Sequence, residues 1–166
     1  MRIDAHHHLW DLSVRDQEWI VGDEMQTIRR SFAISDLKDA IKSSRIDRTV
    51  LVQTVTDYSE TPELLAIAQS EHLVGAVVGW LQIDAPDAIA RLHQYLDLPG
   101  AEYLKGIRDI AQDHPDPNYL AKPQTIANVK KLGELGITFD LLTKTPELAA
   151  AIKLVSACPD VQFVMD

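Results

Sequence analysis

Short β-branched runs alternate with longer stretches of helical period from Arg2 to Met165, and few folds accommodate that rhythm. Such alternation is the signature of an α/β protein with a parallel sheet. Six strands are expected, at Arg2 to His8, Thr49 to Gln53, Val74 to Trp80, Tyr103 to Arg108, Ile137 to Leu142 and Val161 to Met165. Most are too apolar for a sheet with one wet face, so a sheet covered on both sides is implied.

Helix starts are legible between the strands. Ser35 precedes a segment in which Leu37, Ala40 and Ile41 share one face, and Pro86 and Pro123 open two more helices. Thr61, Pro62 and Glu63 combine a side-chain acceptor for free amides, a residue that needs no amide bond and a charge suited to the positive helix end. The same chemistry recurs at Thr145, Pro146 and Glu147; shared capping explains the echo more simply than an internal repeat. Gly133 and Gly136 mark a helix end before the fifth strand. The segment from Leu9 to Arg30 holds Trp10 and Trp19 without a clean period and reads as a long loop with a short helix, a common setting for an active-site wall or lid. No linker or composition break divides residues 1–166, so one domain is expected.

With 16 Lys and Arg against 25 Asp and Glu, the net charge of -9 leaves no electrostatic footprint for nucleic acid or an anionic membrane. No apolar run approaches the 18 or so residues of a transmembrane helix, and the single cysteine, Cys158, forms no internal disulfide. The expected compartment is the cytoplasm.

Chemistry concentrates at the end of the first strand, in Asp4, His6, His7, His8 and Trp10. Strand alternation turns His6 and His8 to one side and Ile3, Ala5 and His7 to the other. Two imidazoles at a strand end can share a metal ion, or divide substrate polarisation and proton transfer between them. The competing readings are a tag remnant, a solvated cluster and core histidines satisfied by backbone. The apolar neighbours and strand context speak against a tag, and two inward imidazoles are costly as mere packing.

The run Arg2 to Asp11, Val52 and Gln53, Gly75 to Trp80, Lys105 to Arg108, Phe139 to Leu142 and the closing Val164, Met165 and Asp166 follow one another in the order of successive motifs of a known family. Together they resemble the amidohydrolase superfamily, in the branch of TIM-barrel hydrolases related to L-fuconolactonase and other sugar lactonases. The resemblance implies a (β/α)8 TIM-barrel type fold, incomplete here with about six of eight βα units, because such barrels need about 250 residues. It also implies that the domain stops at the sixth strand, that the general base lies beyond Asp166, and that the 166 residues alone are nearly inactive.

By the same resemblance His6 and His8 are catalytic residues and, if a metal is used, its ligands. A divalent ion such as zinc and metal-free catalysis are both compatible with the branch. Gln53 and Arg108 match substrate-facing positions, Arg108 being suited to a carboxylate or oxyanion; an ion pair with Asp109 or another barrel carboxylate is the competing reading. Trp80 is a candidate wall for a sugar or aryl ring, against a packing role. Lys105 is expected to point outward, Asp140 to orient neighbours, and His72, His93 and His114 to be solvated. The implied activity is hydrolysis of a lactone or another cyclic ester by activated water. The alternatives are a metal-dependent decarboxylase of an aromatic or unsaturated acid, and a non-catalytic fragment or subunit that self-associates through open sheet edges.

Overall fold

In a computed structural model describing residues 1–166, six strands form one sheet in chain order. They are β1 (Ile3–His7), β2 (Arg48–Val52), β3 (Val74–Gly79), β4 (Leu104–Ile110), β5 (Thr138–Leu142) and β6 (Phe163–Met165). Every neighbouring pair is parallel. The helices between them are α1 (Ile34–Ile41), α2 (Glu60–Ser70), α3 (Ala88–Leu96), α4 (Pro123–Glu134) and α5 (Leu148–Ala157). This is a half-barrel of βα units, and β1 and β6 each pair on one side only.

The core sits between the sheet and the helices. Leu51, Val77, Ile107 and Phe139 are fully buried on the outer face of the strands, against Leu64, Leu65 and Ala68 of α2, Leu92 of α3, Val129 and Leu132 of α4, and Leu154 of α5. Each such side chain contributes about 1.5–3 kcal/mol of transfer free energy. Alternation sends the intervening residues to the inner face, where Arg108 and Asp140 stand side by side in register. Gly106 keeps that face open: a Cβ there would lie 2.6 Å from Thr138 Oγ1.

Four helix starts differ from expectation, α3 beginning at Ala88 after Pro86 and α5 at Leu148 after Glu147. Helix α2 begins at Glu60, and Thr61 turns its hydroxyl to accept the Trp80 amide N–H at 2.9 Å instead of capping its own helix. The Glu60 carboxylate likewise turns away from its own helix, accepting the amides of Thr54 and Val55 in the loop after β2 at 2.9 and 3.1 Å. Helix α1 begins at Ile34, one residue before Ser35, with the Asp36 carboxylate accepting the Ala33 amide at 2.9 Å. In α1 the acidic side chain takes the amide at the helix start, whereas in α2 both Thr61 and Glu60 serve residues outside their helix. The long segment after β1 is tied back by a bridge between Trp10 and Phe32 and contains one short 3₁₀ turn, Asp23–Ile28. No helix is long and apolar enough to cross a membrane.

Candidate active site at the strand ends

His6 and His8 emerge on the same side of β1, their Nε2 atoms 3.0 Å apart and their rings edge to face. The other nitrogen of each ring has a defined partner. His8 Nδ1 lies 2.8 Å from the carbonyl oxygen of Val52, and His6 Nδ1 lies 2.9 Å from Asp166 Oδ1. A carbonyl and an ionised carboxylate only accept hydrogen bonds, so each Nδ1 carries its proton. Two neutral rings would then aim two Nε2 lone pairs at each other, which is repulsive. The contact is satisfied only by a cation between them, either a shared proton or a metal ion. Two converging imidazole nitrogens are a donor set that would fit a divalent ion such as zinc.

Arg108, at the end of β4, is 5% exposed. It donates from Nη1 to Asp166 Oδ2 and from Nη2 to the Gln53 carbonyl oxygen at 2.5 Å. Asp166 therefore bridges His6 and Arg108 with its two oxygens. The ion pair weighed for Arg108 is present, and its partner is Asp166. Asp109 faces the other way, accepting from the Trp80 indole, the Ile83 amide and the Tyr119 hydroxyl. Gln53 is fully buried at the end of β2, its Nε2 donating weakly to the Arg108 carbonyl at 3.5 Å. Gln53 Oε1 and Arg108 Nε are buried without hydrogen-bond partners. Such groups are costly to leave unpaired.

Electrostatics at this end follow from burial. The His8 imidazole is pushed down to about 4, chiefly by desolvation, with His6 and Arg108 adding to the effect against the Val52 carbonyl and Asp166. His8 by itself therefore favours the neutral form at pH 7. The Asp140 carboxyl is pushed up to about 6 by burial and by the charge of Asp166, against the attraction of Arg108. No group of three or more His, Cys, Asp or Glu side chains is placed to hold a metal ion.

The structure thus brings together four of the positions read from the sequence, His6, His8, Gln53 and Arg108. Trp80 stands apart from their hydrogen-bond network. It is 6% exposed, its indole N–H donates to Asp109 Oδ1 at 2.9 Å and its ring packs on Tyr58 at 4.6 Å. Lys105 is exposed. His114 departs from its solvated expectation: its ring stacks on Tyr119 at 4.1 Å and its Nδ1 accepts the Asp116 amide, because the loop after β4 folds over it. Asp166 is the residue that sequence reasoning undervalued, noted only as the end of a motif. The available signal was its place after β6, in the same alternation that puts Arg108 on the inner face.

Parallel βα units curving around strand-end histidines define a protein of the (β/α)8 barrel class, here an incomplete one. Residues 3–166 match the family described as Amidohydrolase, and the chain belongs to that family. It is 30% identical over 165 residues to the L-fucono-1,5-lactonase of Burkholderia ambifaria, covering 99% of this chain and 56% of that protein. The L-fucono-1,5-lactonase of Burkholderia multivorans is 30% identical over 116 residues, covering 70% of this chain and 38% of its own length. Among solved structures, an amidohydrolase from Burkholderia multivorans with bound zinc superposes with a TM-score of 0.89 at 25% identity, over 100% of this chain and 57% of that one. The chain thus spans between 38% and 57% of the length of these relatives.

Proposed function

We propose that these 166 residues supply the N-terminal part of a lactone-hydrolysing site, working on a small cyclic ester at the strand-end mouth of the barrel. The observation that carries this reading is the His6 and His8 pair, held with two Nε2 lone pairs converging beside the Arg108 and Asp166 ion pair. The lactonase relatives at 30% identity support the substrate class. His6 and His8 are the residues that would hold a divalent ion such as zinc, which when bound would polarise a carbonyl and acidify water. Asp166 orients the His6 ring through Nδ1, and the Val52 carbonyl does the same for His8. Arg108 Nε and Gln53 Oε1 offer a donor and an acceptor to the substrate.

Attack on the ester also needs a base within about 3 Å of the water. Asp166 is engaged by Arg108 and His6, so in this proposal the base comes from outside the 166 residues. Hydrolysis of L-fucono-1,5-lactone by this chain should run about 10²–10⁴-fold slower than by the Burkholderia ambifaria lactonase at equal concentration. The residual rate should fall to background in His6→Asn and His8→Asn. A rate matching that of the complete lactonase would overturn the missing base, and a rate indifferent to both substitutions would remove the histidines from the site.

A further inference from the structure

A second cavity opens at the same end of the sheet, between the loops that follow β1 and β2. It measures about 380 Å³ and is lined by Arg15, Asp16, Glu18, Trp19, residues 54–57 and Ile110. Thr54 directly follows Gln53, and Ile110 stands two residues beyond Arg108, so this cavity lies beside the histidine and arginine cluster. Its size suits a single small ring.

The walls are preorganised. The Arg15 guanidinium reaches Asp57, Ser59 and Glu63, tying the first loop to the start of α2. The Trp19 indole N–H donates to Oε1 of the buried Gln17 at 2.8 Å, and its ring meets Trp10 edge to face at 5.7 Å, which in turn packs on Phe32. Trp19 is nevertheless 39% exposed. A tryptophan anchored at its nitrogen and at one edge, with ring surface left open in a cavity, is a stacking platform whose ordering cost is already met by the fold. Trp80, by contrast, has its ring enclosed.

Charge selects what can stack there. The lining carries three carboxylates, Asp16, Glu18 and Asp57, against one cation, and Arg15 already engages Asp57 and Glu63. An anion entering this cavity meets net negative charge, while a neutral hydroxylated ring meets acceptors for its hydroxyls and an apolar face for its C–H edge. Resting on the lactone-hydrolase reading above, we infer that the Trp19 cavity is the ring subsite of this protein, taking a neutral hydroxylated ring and disfavouring the ring-opened hydroxy acid. Hydrolysis breaks the ring C–O bond of a neutral lactone, forms a C–O bond from water and leaves a carboxylate with release of one proton. The same cavity therefore holds the substrate and repels the product.

Binding can be read without turnover. The three tryptophan indole N–H resonances of the ¹⁵N-labelled chain are followed by NMR during titration with L-fucose, a neutral six-membered ring that is not hydrolysed, and separately with L-fuconate. The Trp19 signal is assigned by its loss in Trp19→Phe. L-Fucose is expected to shift the Trp19 signal and leave that of Trp80 unmoved. L-Fuconate should bind about fivefold or more weakly, with the gap narrowing when salt is raised and in the Asp16→Asn, Glu18→Gln double variant. In Trp19→Ala, followed through backbone amides of residues 54–57, affinity for L-fucose should fall about fivefold to tenfold, with Trp19→Phe recovering most of it. Equal affinity for sugar and acid, or an L-fucose affinity indifferent to Trp19→Ala, would overturn the inference. Lactone hydrolysis measured in parallel separates the two claims. Ring binding without any hydrolysis above background leaves the subsite standing and refutes only the residual activity proposed for this chain, whereas residual hydrolysis indifferent to Trp19 leaves that activity standing and refutes the subsite.

Discussion

At the scale of single residues, two inner-face groups pull stability in opposite directions with pH. His8 titrates near 4 in the folded chain, below its ordinary value of 6.5, so the unfolded chain takes up the proton first and stability falls as pH drops from 6.5 towards 4. Asp140 titrates near 6 against an ordinary 3.8, so the folded chain takes up that proton first and stability falls as pH rises from 4 towards 6. Each contribution is on the order of 2–3 kcal/mol, and over this window they largely cancel. Removing one should expose the other. Asp140→Asn is expected to raise stability at pH 7 and to make acidification to pH 4 more damaging, while His8→Gln should make acidification stabilising relative to the parent. Urea midpoints across that window test both, and parallel curves for all three proteins would refute the opposition. Zinc gives an independent test of the pair. Two imidazoles fall short of the three protein ligands of an ordinary catalytic site, so calorimetry should show only weak binding, and Asn at both His6 and His8 should abolish it.

At the scale of elements, β3 and α2 meet in a tight joint. A Cβ on Gly79 would lie 2.6 Å from Thr61 Cγ2, and Thr61 is fully buried with its hydroxyl committed to the Trp80 amide. A stiff β-branched neighbour cannot swing aside. Gly79→Ala should therefore cost about 1–3 kcal/mol, read as a lowered melting temperature. The double variant with Thr61→Ser, which keeps the hydroxyl and removes the methyl, should recover part of the loss. This joint also shows where sequence reading ends. Each of the six strands was legible, since β-branched runs of the right length between capped helices have few other uses, and paired histidines on one side of β1 followed from alternation alone. The role of Thr61 was not legible, because its helix-start chemistry was real but its hydroxyl serves a strand 19 residues away. The role of Asp166 was not legible for a related reason: what matters is its long-range neighbours, Arg108 and His6, which no local period encodes.

At the scale of these 166 residues as one chain, β1 and β6 each pair on one side only, and the β6 side carries the more exposed apolar surface. Residues Leu148, Ile152 and Val155 lie at helical spacing on α5 and are 41%, 60% and 39% exposed, an apolar stripe on the helix leading into β6. In β6 itself Val164 and Met165 are 43% and 62% exposed, and its outer backbone groups have no strand partner. An apolar stripe beside an unpaired edge is a template for another chain. The net charge of -9 opposes association through long-range repulsion that salt screens. Sedimentation velocity should therefore show self-association that grows with protein concentration and with added salt. Lysine at Ile152 and Met165 would place charge on the stripe and on the edge while also lowering the net negative charge. If repulsion between like-charged chains alone governed association, those two substitutions would strengthen it. If the edge governs, they should weaken it despite the smaller net charge, and that difference in sign makes the pair of variants decisive. A parent that remains monomeric across the whole concentration range at high salt would show that the free edges of this half-barrel are not recognised by a second copy.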